Sequence, residues 1–146
     1  MKDTPVLVSM WGADNGDKKG ERISLTTPGV LTKTDSGYVL KYSESQPDGS
    51  DSADIRLTVE GERVTMSRNG DLSAMMVFDK GCPFQGEYKT PYGSLNMNIF
   101  ASKVHVHLDD EPREINLAYQ LSLQGMYTAA HELNISLRER QNGERS

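Results

Sequence analysis

Apolar and polar residues alternate along almost the whole chain. In Arg113–Leu123, REINLAYQLSL, the side chains of Ile115, Leu117, Tyr119, Leu121 and Leu123 share one side and Asn116, Ala118, Gln120 and Ser122 the other. A period of two marks a strand with one buried face. Burial stabilises by about 1.5–3 kcal/mol per large apolar side chain as an upper bound, so this strand requires an apolar surface opposite it. The same period recurs in Val6, Val8 and Met10, in Ile23 and Leu25, in Tyr38, Leu40, Tyr42 and Glu44, and in Ile55, Leu57 and Val59. It continues through Val64, Met66 and Arg68, through Leu72, Ala74, Met76 and Phe78, through Phe84, Gly86 and Tyr88, and closes with Leu133, Ile135 and Leu137. In SLNMNIFASKVHVHLD the parity slips: Leu95, Met97 and Ile99 are odd, whereas Val104, Val106 and Leu108 are even. A bulge or corner near Phe100–Lys103 must therefore flip the register.

Turn residues punctuate these runs. GADNGDKKG, DSG, Gly61, NGD and PYG separate successive strands, Pro28 and Gly29 read as an interruption before GVLTKTD, and QPDGSDSA, with nothing apolar larger than alanine, reads as a mobile loop. The pattern predicts an all-β protein, an antiparallel meander of roughly 8–10 strands with hairpin-length connections and at most one short helix or helical turn. Joining the first strand to the last removes two exposed edges, which favours a closed barrel over an open sandwich. Residues 1–140 read as a single barrel domain and 141–146 as a polar tail.

Composition narrows the function classes. A chain of 146 residues with 36% hydrophobic and 25% charged residues has the make-up of a soluble globular domain, and no apolar run is long enough to span a bilayer as a helix. A net charge of −5 argues against a nucleic-acid partner. The N-terminus has no separate apolar segment before a small-residue cleavage site, and Cys82 is the single cysteine. Both point to the cytoplasm, with no membrane partner.

Candidate chemistry is sparse, and no cofactor is expected. Asp14, Asn15 and Asp17 lack the spacing and distal glutamate of a calcium loop. His105 and His107 leave the same face, but Val104, Val106 and Leu108 claim the apolar one, which sends both imidazoles outward; His131 joins them only if the last strand lies alongside. Asp109, Asp110 and Glu111 read as a solvated hairpin tip, Cys82 as a buried or idle thiol, and Gly81, Gly86 and Gly93 as turn and bulge positions rather than a phosphate loop.

Several segments together resemble the YwiB-like family of uncharacterised bacterial proteins, whose barrel is calycin-like or lipocalin-like. They are TTPGVLTKTDSGYVLKYSES, EGERVTMSRNG, YKTPYGSLNMNI and INLAYQLSL followed by LNISLRE, in the family's order from Thr26 to Glu139. The resemblance implies a barrel of the kind that often holds small amphipathic ligands, and it implies no reaction.

One set of residues stands out within that frame. Tyr42, Glu44, Arg68, Tyr88 and Tyr119 fall on, or at the ends of, apolar rows, which directs their polar tips into the barrel. A desolvated guanidinium needs a carboxylate, and Glu44 is the candidate partner for Arg68, with tyrosine hydroxyls completing its donors. Such a cluster either plugs the barrel as an internal salt bridge or contacts a ligand. Three functions follow: a non-enzymatic binding protein for a small amphipathic molecule; a filled barrel acting through dimer or partner contacts, for instance at Met75 and Val77; and an enzyme using the interior polar cluster.

Overall fold

The computed structural model describes residues 3–14, 22–44, 53–70 and 73–140. Asn15, Asp17, Leu72, most of QPDGSDSA and the polar tail, for which the sequence sets expectations, lie outside these residues. Ten strands follow one another: β1 (Asp3–Asp14), β2 (Arg22–Lys33), β3 (Gly37–Glu44), β4 (Ala53–Glu60), β5 (Arg63–Gly70), β6 (Ser73–Asp79), β7 (Pro83–Thr90), β8 (Gly93–His107), β9 (Arg113–Leu123) and β10 (Met126–Glu139). No helix occurs among the described residues. Each strand pairs with its sequence neighbours in antiparallel fashion, and β1 pairs with β10 to close a ten-stranded barrel. The closure predicted from edge avoidance is what forms.

Parity decides which residues fill the barrel. Ile115 and Leu117 of β9 are almost fully buried, as are Val6 and Val8 of β1, Leu40 of β3, Leu57 of β4, Val64 of β5, Phe78 of β6 and Ile135 of β10. They merge into one core that occupies the middle of the barrel. The expected parity flip in β8 is present: between Ala101 and Lys103 the pairing with β9 shifts register, so that Ile99 and Val104 both face β9 residues on the inner side.

One expectation fails. Pro28 and Gly29 do not interrupt a ladder; β2 runs unbroken through both, with Leu7 opposite Pro28 and Val6 opposite Gly29. Pairing of β2 with β3 begins only at Gly29 opposite Tyr42, so at Pro28 the strand has one partner and the missing N–H costs no ladder bond. Gly29 is required for close approach. A Cβ there would lie 2.8 Å from the Lys41 carbonyl oxygen and 2.9 Å from Val8 Cγ2.

The wall is uneven in one place. The ladder between β6 and β7 is only two pairs long, Ser73 with Lys89 and Ala74 with Tyr88, whereas β5 pairs with β6 over six residues. Beyond Ala74 the strands part, and the Phe84 ring lies across Gly86 so closely that a Cβ on Gly86 would come within 2.9 Å of it. The glycine makes room for the ring inside the gap.

Candidate functional site

The connections β1–β2, β3–β4, β5–β6, β7–β8 and β9–β10 share one end of the barrel, referred to as the upper end, and the polar interior residues gather toward it. Glu44 is the last residue of β3, while Arg68 and Tyr88 stand two from the ends of β5 and β7. Register places Tyr42 opposite Ile55, Ile55 opposite Arg68, Arg68 opposite Ala74, and Ala74 opposite Tyr88, a single inner row across five strands. Glu44 stands one step above, opposite Ala53.

Arg68 Nη1 donates to Glu44 Oε1 at 2.5 Å, with 18% and 28% of the two side chains exposed. The pair is half-buried rather than sealed. Tyr42 is buried below it, and its hydroxyl donates to the Met10 sulfur at 3.8 Å, a weak acceptor for a buried O–H. Burial pushes the Tyr42 phenol well above its ordinary pKa; the Glu44 charge adds to the rise and the Arg68 charge opposes it. Tyr88 is partly buried against the core.

Tyr119 belongs to a different group. Its ring packs against Phe78 at 4.8 Å between centroids and stacks on His131 at 5.4 Å, and burial raises its pKa. His131 sits opposite Tyr119 on β10, and its buried Nε2 has no hydrogen-bond partner among the described residues. Parity marks Tyr119 as interior but does not assign its height on the wall. The sequence offers His131 only as a metal ligand beside His105 and His107. In fact β8 and β10 are separated by β9. His105 and His107 are exposed outside, 3.4 Å from Glu114 and 2.7 Å from Asp110 respectively, and the described residues contain no cluster suited to a metal ion. Cys82 is exposed, not buried. Asp109 accepts from the Tyr38 hydroxyl at 2.7 Å, so the acidic tip is tied to β3.

The gap between β6 and β7 opens onto Arg68. It is a slot of about 420 Å³ whose lining includes Arg68, Ala74, Met75, Phe84, Gly86 and Lys89. The carboxylate of Glu87 also lines it, so apolar groups meet two cations and one anion there. Chemically, the arrangement can hold an anionic or strongly polar group against the guanidinium and an apolar group against Phe84 and Met75.

The buried tyrosine gives a testable pH dependence. A phenol with its folded-state pKa raised above the unfolded value of ~10 contributes stability that is complete below that pH and is lost as pH rises through the folded-state value. Melting temperatures should accordingly fall above pH ~10, and Tyr42→Phe should flatten the fall. An identical alkaline limb in wild type and variant would show that Tyr42 is not the coupled group.

Fold and site define an all-β closed barrel with a half-buried ion pair at one end and no recognisable catalytic constellation among the described residues. A family model described as a domain of unknown function (DUF1934) matches residues 9–135, and the chain belongs to this family. It is 23% identical over 135 residues to the uncharacterized beta-barrel protein YwiB of Bacillus subtilis (strain 168), covering 92% of this chain and 94% of that protein. The crystal structure of the ywiB protein from Bacillus subtilis superposes with a TM-score of 0.83 at 22% identity, over 95% of this chain and 94% of that one. That likeness concerns the fold alone.

Proposed function

We propose that the protein is a non-enzymatic, cytoplasmic binding protein for a small amphipathic molecule, whose polar group meets the Arg68–Glu44 pair and whose apolar part lies along Phe84, Met75 and the upper interior. The observation that carries this reading is the slot between β6 and β7. An ion pair that only plugs a barrel needs no opening in the wall, yet here the ladder stops after two residue pairs and the gap leads to Arg68. Because the middle of the barrel is filled, the ligand sits at the upper end and in the slot rather than deep inside. Tyr42 and Tyr88 stand in the same inner row as Arg68, and Tyr119 packs apart from it against Phe78 and His131.

Native mass spectrometry of freshly purified protein tests the reading. A small-molecule adduct is expected on the wild-type chain, and its loss in Arg68→Met. Bare chain in every preparation would count against it. The same spectrum addresses the second reading, a barrel acting through dimer contacts, which is favoured by Met75 standing 55% exposed on the outer face of β6 beside Val77. A dimer abolished by Met75→Lys, with no adduct in either protein, would select that alternative.

A further inference from the structure

We propose that the outer wall over β2–β5 carries a second site, separate from the interior pair, which binds the phosphate of a small phosphomonoester. A depression of about 760 Å³ lies on this face and is lined by the cations Lys41, Arg56 and Arg140 around Pro28 and Val30. Its volume falls in the range of small-molecule sites.

Two independent features mark the cations as waiting for an anion. The first is register. Lys41 lies directly opposite Arg56, and both are exposed on the outer face. Like charges facing each other across a ladder destabilise it, and no carboxylate pairs with either among the described residues. The second is Arg140. Its backbone N–H donates to the Pro5 carbonyl at 2.9 Å, and Pro5 faces Val30, which faces Lys41, so the residue extends the same outer row. Its Nε is buried with no hydrogen-bond partner among the described residues. A guanidinium N–H taken out of water without an acceptor is costly, and an oxyanion supplies the acceptor.

The charge balance selects the ligand class. One carboxylate, Asp54, lines the groove and accepts from Ser43 Oγ at 2.9 Å. Three cations and one anion leave a surplus of about two positive charges, in a chain whose net charge is −5. A phosphate monoester carries about −1.5 to −2 charge near neutral pH and offers three acceptor oxygens, which two guanidinium groups and an ammonium can share. Ser67, opposite Arg56, and Asn69, opposite Asp54, add neutral donors at the rim. Pro28 and Val30, the latter 38% exposed, give the organic part of the ester an apolar bed.

The test is a titration of isotopically labelled full-length protein with phenyl phosphate, inorganic phosphate, succinate and sodium chloride at constant ionic strength, followed by amide chemical shifts. Phenyl phosphate is expected to give saturable shifts confined to residues 29–30, 41–43, 54–56 and 67–69, with inorganic phosphate weaker and succinate weaker still. Lys41→Ala with Arg56→Ala should weaken phenyl phosphate at least tenfold while raising the melting temperature of the free protein, because the facing charges are gone. Arg56→Gln provides the same test if the double variant fails to fold. Arg68→Met should bind phenyl phosphate as the wild type does. Shifts that do not saturate, shifts equal to those from chloride, or binding lost in Arg68→Met but kept in the outer-wall variants would each overturn the proposal, the last by assigning the phosphate to the interior pair.

Discussion

Phe78→Ala is expected to remove about 3–5 kcal/mol of stability, most of what an ordinary domain has. Phe78 is fully buried and sits opposite Val64 on the inner face of β6. Its ring meets Tyr119 at 4.8 Å with the planes 59° apart, and Tyr119 in turn stacks on His131. Phe78 thus joins the β5–β6 wall to the β9–β10 wall across the barrel. Alanine removes the apolar burial and leaves a void that strands on both sides, fixed by their ladders, cannot collapse to fill. Tyr119 and His131 lose their backing as well. Urea unfolding should show a lower midpoint with an unchanged slope. Phe78→Leu, which restores most of the volume, should cost about 1.5 kcal/mol or less. A loss below about 1 kcal/mol in Phe78→Ala would mean that the interior repacks freely and does not hold one arrangement.

What was legible in the sequence is what a period of two encodes. Alternation sorts each residue to the inner or outer face with no knowledge of its neighbours, so the strands and their buried rows, the parity flip in β8 and the inward set of Glu44 and Arg68 could all be read from residue types in order. The pairing of Arg68 with Glu44 was accessible because a cation and an anion stood at the ends of two inward rows joined through a single intervening strand. Height around the wall is a different quantity. It depends on register summed over several strands, and so Tyr119, inward like Tyr88, is found beside Phe78 and His131 and not beside Arg68. The β6–β7 slot was hidden for a related reason: Phe84, Gly86 and Tyr88 keep a regular alternation, and nothing in it shows that the ladder fails where an aromatic ring leans over a glycine.

The outer face hides its chemistry more completely. Polar and charged residues on a solvated strand face carry no periodic signal beyond being outward, and Lys41 and Arg56, fifteen positions apart, become a like-charged pair only through the β3–β4 register. Arg140 joins them through a backbone bond to β1 near the opposite end of the sequence. Pro28 misled for the converse reason. Its cost in a strand depends on whether a partner faces its nitrogen, and that is a property of where β3 ends, not of Pro28 itself.

Arg68→Ala is expected to cost about 2–3 kcal/mol, less than the 3–5 kcal/mol of a fully buried pair because both partners keep part of their surface in water. The loss has two parts. Alanine abandons the packing of the arginine stem against the inner row, and it leaves the Glu44 carboxylate facing an apolar interior without its cation. Arg68→Met keeps the stem and isolates only the second part, so it should cost about 1–2 kcal/mol. Combining Arg68→Met with Glu44→Gln removes the unpaired charge and should recover at least half of that, which a double-mutant cycle reads as a coupling of about 1 kcal/mol. If Arg68→Ala costs under about 0.5 kcal/mol, the pair contributes nothing that an ordinary surface residue would not. The double variant also separates plug from clamp, because it is expected to fold nearly as well as the wild type. A small-molecule adduct that persists on this variant would make the pair a structural plug alone, whereas an adduct lost from a stable Arg68→Met, Glu44→Gln protein would assign the guanidinium to the ligand.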